Sequence, residues 1–392
     1  MKKTIICSFL LLGFLLSTGT TSFSQISTGE LSGQLNVIHV AVPFLTIAPD
    51  SRAGAMGEAG LATSPDVFSM HWNPSKYAFI DDDFGAAVSY TPWLRNLIDN
   101  IDLGYLSAYH RIDDTQVISA SLLYFSMGEI IFTNLSGEPE GTHNPNEFAV
   151  DIGYSRKLSE RFAGGLAFRY IRSDLTGGAY VAGILSQPAQ AFSADVSVYY
   201  LNDINISDND AELALGMNIS NIGNKVTYSD EQNTQFIPIN MGLGSSLTYN
   251  IDEQNTLSLA LDLNKLLVPT PPLYYSDSTD VDGNRVIREG YNPNVSVPRG
   301  MLQSFYDAPG GLKEELREIT WSFGMEYWYM QQFAIRAGYF YEHETKGNRK
   351  FFSAGLGLRL NMFTLDFSYL IPVYRANPLA NTLRFSLSFN FQ

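Results

Sequence analysis

The chain has 392 residues, 25 Lys and Arg against 40 Asp and Glu, and a formal net charge of −15. Aromatics make up 13% and charged residues only 17%, below the roughly 25% usual in soluble domains, yet the mean hydropathy of −0.05 is too low for a bundle of membrane helices. The aromatic content argues against disorder, and the excess of Asp and Glu over Lys and Arg makes the chain a poor candidate for nucleic acid, whose phosphates need cations to neutralise them.

Residues 1–24 are expected to be a secretory signal peptide. Lys2 and Lys3 precede the apolar run 4–16 (TIICSFLLLGFLL), and Ser22-Phe23-Ser24 fits a small-x-small cleavage site. Cleavage would change the net charge from −15 to −17 and remove Cys7, the only cysteine. A mature chain without cysteine has neither disulfides nor thiolate metal sites. No later stretch reaches about 18 uncharged apolar residues, so no transmembrane helix is expected.

Residues 25–83 read as a compact helix-and-turn segment, folded against a barrel wall or into its lumen. Gly54, Gly57 and Gly60 recur every three residues within 49–60 (PDSRAGAMGEAG), and Trp72-Asn73-Pro74 follows. The glycines permit close backbone approach, and Pro74 restricts Asn73 toward a turn. No Gly-Lys-Ser/Thr follows, so the run is not a phosphate loop. Asp81, Asp82 and Asp83 read as a solvated turn rather than a cation site.

From residue 84 onward the sequence alternates with period two. Fourteen strands are predicted: 84–91, 101–110, 115–126, 147–157, 161–173, 190–201, 210–221, 237–249, 255–265, 317–329, 332–342, 350–360, 362–371 and 381–392. One face carries Leu, Phe and Tyr, as at Leu257, Leu259, Leu261 and Leu263. The other carries small or polar residues, as expected for lipid outside and a polar lumen inside. Glycines in 161–170 permit a kink or tight packing. Connections alternate in length. RIDD at 111–114, LSE at 158–160 and MQ at 330–331 are short, while 127–146, 174–189, 222–236 and 266–316 are long. Outer-membrane barrels have short periplasmic turns and long extracellular loops. The fold class is therefore all-β: a transmembrane outer-membrane β-barrel of about fourteen antiparallel strands, residues 84–392, behind an N-terminal helix-and-turn segment. Trp93, Trp321, Trp328, Tyr339 and Tyr341 are expected at the bilayer interfaces or in the lipid band.

The longest loop, 266–316, combines proline with apolar and aromatic residues. Leu266, Leu267, Val268, Leu273, Tyr274, Tyr275, Tyr291, Phe305 and Tyr306 make it either a partner-contact surface or a lid over its own barrel mouth. Residues 312–319 suggest a short helix with Leu312, Leu316 and Ile319 on one side. Within the loop, 278–289 approaches a calcium-binding pattern, with Asp280, Asp282 and Glu289 as carboxylates and Gly283 at the turn. Ser278 in the first position and the lack of flanking helices favour a plain hairpin turning through Asp282, Gly283 and Asn284.

Catalysis is not expected. The five histidines lack the spacing of a helical zinc site, and no Gly-x-Ser-x-Gly elbow occurs. No catalytic residue, cofactor or resident metal is predicted.

Residues 43–66 (PFLTIAPDSRAGAMGEAGLATSPD) and 71–79 (HWNPSKYAF) strongly resemble the PorV family of the type IX secretion system, within the wider FadL-like family. Asp50, Arg52, Gly54, Gly57, Asn73 and Pro74 carry that resemblance. It implies an outer-membrane barrel that binds the giant type IX translocon barrel and accepts cargo proteins through their C-terminal domain. It further implies delivery of cargo to a sortase-type attachment complex that anchors it at the cell surface. Besides these partners, only outer-membrane lipid is expected. The competing reading is a FadL-like transporter of hydrophobic small molecules.

Overall fold

The computed structural model describes residues 35–391 apart from 95–99, 134–135, 182–183, 207–208, 230–233, 280–284 and 375–381. The signal-peptide region lies outside the described residues.

Fourteen antiparallel strands close into a barrel. They are β1 (Phe84–Pro92), β2 (Asp102–Asp113), β3 (Gln116–Ser126), β6 (Asn146–Ser159), β7 (Phe162–Asp174), β10 (Ala189–Ile206), β11 (Asn209–Gly223), β12 (Asn240–Asn250), β13 (Thr256–Leu266), β16 (Thr320–Tyr329), β17 (Phe333–Tyr341), β18 (Lys350–Leu360), β19 (Phe363–Pro372) and β20 (Leu383–Phe391). Each overlaps one predicted strand. Closure is between β1 and β20, with Phe84 opposite Phe391 and Tyr90 opposite Phe385. Every strand thus has two partners and no edge is left in the membrane, where an unpaired backbone has no water to bond.

Three small hairpins decorate the long-loop end: β4 (Ile130–Thr133) with β5 (Pro139–His143), β8 (Tyr180–Val181) with β9 (Ile184–Leu185), and β14 (Leu273–Thr279) with β15 (Arg285–Glu289). The Gly-rich β7 is not kinked: Gly164 and Gly165 pair on both sides, with β6 and with β10. Among the barrel strands the register shifts fall near the turns, between Lys157 and Ser159 and between Arg111 and Asp113, and within β10 between Ala194 and Val196.

The N-terminal segment threads the lumen. Asn36 donates its amide to Thr345 O at the long-loop end, and Asp83 donates to Phe391 O at the opposite rim. Between them lie a 3-10 turn (Pro43–Thr46), helices α1 (Ser51–Ala55) and α2 (Ser69–Trp72), and a second 3-10 turn (Pro74–Phe79). Short helical pieces suit a segment that must match a curved wall at many points.

The lumen is not uniformly polar, and here the expectation is corrected. Across β2 and β3 the buried inward side chains include Leu103, Tyr105, Tyr109, Val117, Leu123 and Phe125, with Ser107, Ser119 and Ser121 between them. The apolar ones pack on Phe44, Val67, Phe68 and Tyr77 of the threaded segment as one apolar core. Phe44 stacks with Phe125 at 6.5 Å, and Tyr77 meets Tyr109 at 5.4 Å. From β6 through β20 the inward positions include Asp151, Arg169, Asp195, Asp262, Glu326, Arg336, Asp366 and Arg384, also buried. An inward side chain is apolar where the plug presents apolar side chains, as at Phe44 and Tyr77, and polar where it presents amides, carbonyls or charges, as at Arg52, Gly60 and Pro74.

Two of the expected girdle tryptophans are corrected for a related reason. Trp321 is 52% exposed on the outer face, but Trp328 is 6% exposed and faces inward, under the guanidinium of Arg359 at 4.3 Å. Seven residues separate them, an odd number, so they occupy opposite faces of β16. Trp93 also turns inward, with the Arg384 guanidinium 6.0 Å from its ring.

Glycine lets the plug touch the wall. At Gly57, φ is +68° and a Cβ would lie 2.6 Å from the backbone of Tyr339; at Gly165 a Cβ would lie 2.6 Å from Ser75 N. Gly57→Val combines an unfavourable φ with a backbone clash. It is expected to destabilise the folded barrel by about 3 kcal/mol or more, read as a lower temperature for loss of the compact, heat-modifiable band on gels.

Candidate functional site

The residues at this site fall into two groups: anchors that fix the plug, and a lid over the long-loop end. Asp50 caps α1 by accepting from Ala53 N at 2.8 Å and takes Trp72 Nε1–H at 2.7 Å. Burial pushes its carboxyl up to about 6, assisted by nearby Asp66 and opposed by those two bonds. Arg52 is the hub. Its Nη2 and Nε donate to Glu326 at 2.8 and 3.1 Å, and its Nη1 reaches Asp66 at 2.8 Å and Ser64 O at 3.0 Å. Burial alone would lower its pKa, but Glu326 and Asp66 outweigh that and hold it well above the ordinary value.

Asn73 caps the second 3-10 turn, and its Nδ2 donates to Leu61 O at 3.0 Å and Val198 O at 3.1 Å. Pro74 supplies the first position of that turn, and its carbonyl accepts from Ser155 Oγ at 2.6 Å. Gly54 lies against the Arg384 side chain. The six motif residues thus hold the plug in the barrel. None of them faces outward.

The lid is the 267–319 connection. It includes β14, β15, helix α3 (Val297–Gln303) and helix α4 (Leu312–Arg317). A buried ion network fastens it. Lys265 at the end of β13 donates to Glu315 at 2.9 Å and Glu318 at 2.6 Å, and Lys346 donates to Glu314 at 2.6 Å and Glu318 at 2.9 Å. Asn36 joins the same cluster by donating to Glu314 at 3.0 Å and Pro271 O at 3.1 Å. Asp307 accepts from Thr270 N at 3.1 Å and Gln303 Nε2 at 3.2 Å.

Six lid residues were expected as partner contacts. Tyr274, Tyr275, Tyr291 and Tyr306 are 36–58% exposed, with Tyr291 and Tyr306 in edge-to-face contact at 5.6 Å. Phe305 is 46% exposed but turns toward the outer barrel wall, and Leu273 is half-buried in β14. For Leu267 and Val268, left open in the sequence between a contact surface and a lid, the structure favours the lid, since both belong to the apolar core at 3% and 2% exposure. Of the calcium-like set, Asp280 and Asp282 lie outside the described residues. Glu289 is on β15 opposite Leu273 and pairs with Arg288 at 3.4 Å. Asp81 and Asp83 both engage Arg111, the first through its carbonyl at 2.7 Å.

Sequence reasoning missed Lys265, Lys346, Asp307, Glu315 and Glu318. The signal was the spacing Glu314, Glu315, Glu318 opposite Leu312 and Leu316 on one short helix. The partner lysines, 28 to 53 residues away, carry no local mark.

A profile of the family described as "Type IX secretion system protein PorV" matches residues 31–273, more than half of the chain. The chain belongs to the PorV family. It is an outer-membrane component of the type IX secretion system, and its long loops are extracellular. Among solved structures it is similar to the Pseudomonas putida toluene transporter TodX, with 11% identity, 87% of this chain and 97% of that chain covered, and a TM-score of 0.50. It is also similar to the Ralstonia pickettii toluene transporter TbuX (11% identity, 88% and 98% covered, TM-score 0.44) and to a Pseudomonas aeruginosa FadL homologue (11%, 91% and 100%, 0.43). At these identities the likeness is one of fold. No curated protein matches the chain.

The lid carries a built-in pH dependence. Burial pushes Asp307 up to about 6, against the bonds from Gln303 and Thr270 and with repulsion from Glu315 and Glu318. Its Oδ1 is buried without a hydrogen-bond partner among the described residues, which suits a protonated carboxyl. The closed lid therefore binds a proton between about pH 4 and 6 that an open, solvated Asp307 does not hold. Closure is favoured as pH falls through 6 and loses that contribution as pH rises. Hydrogen exchange at Thr270 and Ala308, corrected for intrinsic rates, is expected to be slower at pH 5 than at pH 7.5. In Asp307→Asn the two corrected rates should agree.

Proposed function

We propose that this barrel is a non-catalytic carrier of the type IX system. It binds the giant translocon barrel, accepts exported cargo through the cargo's C-terminal domain, and passes it to the sortase-type attachment complex. The observation that carries this reading is the set of exposed tyrosines, Tyr274, Tyr275, Tyr291 and Tyr306, on a lid fastened at the extracellular mouth. Tyrosine and other aromatics are enriched at protein interfaces because they bury large area at little conformational cost. A lid held by a buried ion network presents them in a fixed arrangement, which lowers the entropy lost on binding.

The competing reading, passage of hydrophobic small molecules, finds less support. Much of the lumen is filled by the threaded segment, and the cavity of about 350 Å³ beside it mixes apolar Val37, Ile38, Val40, Leu45 and Phe340 with charged Glu58, Glu342, Lys346 and Arg349. An apolar solute there would strip water from charged groups without replacing their bonds.

The test is a mild-detergent pull-down of the tagged protein from its own outer membrane, read by mass spectrometry, for the full chain and for a deletion of 270–308. The full chain is expected to recover a very large barrel, a sortase-type protease and cargo sharing one C-terminal domain. The deletion should assemble as a barrel yet lose these companions and impair secretion. A clean monomer from actively secreting cells would make transport of hydrophobic compounds the leading reading. Unchanged secretion by the deletion would remove the lid from the contact.

A further inference from the structure

Helix α4 is amphipathic in the sense opposite to a helix that faces water. Its carboxylates point inward: Glu314 pairs with Lys346, and Glu315 pairs with Lys265. Leu312 and Leu316 point outward, at 74% and 59% exposure. A helix packed on a soluble protein buries its leucines and solvates its glutamates. The outward face of α4 therefore needs an apolar medium or occupant.

The lid supplies a shape for one. Leu312, Leu316 and Phe305 stand over the outer face of the barrel and enclose an apolar groove of about 240 Å³, floored by Leu243 and Leu263. Apolar cavities of about 150 Å³ already take a benzene, so the groove has room for several methylenes. Its height on the wall is fixed by register. Leu243 is opposite Leu263, and Leu263 is opposite Trp321. Trp321 is exposed on the same outer face, where tryptophans mark the headgroup level of a bilayer. One step further into the membrane, Leu261 and Phe323 continue the exposed apolar band. The groove thus opens from lipid-facing wall at the level where headgroups begin. Beside the leucines, Lys313 is exposed and Arg317 half-buried, four residues apart on α4 and so on one side of it. Lys313 is thus an outward cation with the partly covered Arg317 beside it, on a chain of net charge −15.

We propose that this groove seats one acyl chain of a phosphorylated, multi-acyl lipid of the outer leaflet, of the lipid A type, with Lys313 and Arg317 holding a phosphate. A lipid is favoured over a protein segment because the floor of the groove is the lipid-exposed wall itself and its rim is cationic. The site is distinct from the tyrosine surface, and it does not depend on cargo carriage.

Native mass spectrometry of the full-length barrel in mild detergent tests this, with added hexa-acyl lipid A, phosphatidylglycerol or phosphatidylethanolamine. The wild type is expected to retain one lipid A in preference to either phospholipid. Leu312→Ser/Leu316→Ser and Lys313→Glu/Arg317→Glu should each weaken retention about tenfold or more, a loss of at least 1.4 kcal/mol. Assembly of both variants is checked by heat-modifiable mobility. The charge-reversed pair leaves the apolar packing intact, so it stays informative if the serine pair fails to assemble. Equal retention by wild type and the charge-reversed variant would overturn the proposal, as would equal retention of phosphatidylethanolamine. Loss of co-purifying proteins by the serine variant with lipid retention unchanged would also overturn it, by assigning the groove to a protein partner.

Discussion

Arg52 of the plug and Glu326 of the wall form the interaction on which the interior depends. Glu326 does not serve Arg52 alone. Arg336 Nε reaches the same carboxylate at 2.6 Å, and Arg336 Nη1 reaches Asp366 at 2.6 Å. On the plug side Arg52 extends to Asp66. The chain of charges Asp66, Arg52, Glu326, Arg336, Asp366 therefore crosses from the threaded segment through three strands. Glu326, Arg336 and Asp366 are buried and Arg52 and Asp66 partly so, and desolvating a single unpaired ion in a buried place costs several kcal/mol. Arg169, Asp151 and Asp195 pair within the wall alone, whereas in this chain of charges the wall and the plug bury them against each other. The same holds at Asp262, which accepts the amides of Gly60 and Leu61 at 2.7 and 2.8 Å, and at Arg384, which donates to Ala48 O and to Glu58 at 3.2 Å each. Wall serines complete the match. Ser386 and Ser353 accept the amides of Ser51 and Gly57, both at 2.8 Å. Plug and barrel are thermodynamically one unit, although they occupy different parts of the sequence.

That unity shapes what the protein can do. A filled lumen with an apolar core on one side and a charge network on the other leaves little open route through the barrel. Work on a macromolecular partner must then take place on outer surfaces. Two are available: the lipid-facing wall and the extracellular lid. The lid is fastened by ion pairs near the mouth and by Leu267, Val268, Val295, Val297 and Met301 against the shared apolar core, while its hairpin and outer helix face have no core of their own. Such elements lie at the low-stability end of a fold, where function requiring movement is placed.

Much of this was legible in the sequence. Period-two alternation located all fourteen barrel strands, because lipid on one face enforces it. Loop lengths located the two ends. The glycine spacing from Gly54 to Gly60, Pro74 after Asn73 and the resemblance carried by the motif marked the plug, whereas the capping roles of Asp50 and Asn73 emerged only from the structure. What was not legible depended on pairing across long separations. Leu103, Tyr105 and Tyr109 look like a lipid-facing row until the plug that covers them is known. Trp328 looks like a girdle residue by type, and only its shared parity with Glu326 and Ser322 betrays an inward position. Lys265 and Lys346 are unremarkable lysines until Glu315, Glu318 and Glu314 are folded onto them.

Asn36 shows how lid and plug are related mechanically. It bonds to Pro271 and Glu314 of the lid and to Thr345 of the neighbouring loop. A partner that displaces the lid must break these bonds, each worth about 1 kcal/mol net. Below Asn36, however, the segment is buried in the apolar core through Val42, Phe44 and Leu45 before it reaches Asp50 and Arg52. Pulling those side chains out would cost about 1.5–3 kcal/mol apiece, well above the bonds at Asn36. A lid movement therefore spends itself at the mouth, where the connection is weakest, and leaves the charge chain through Arg52 and Glu326 intact. The bonds at Asn36 are thus the weaker part of the link between lid and plug, and the burial of Val42, Phe44 and Leu45 the stronger.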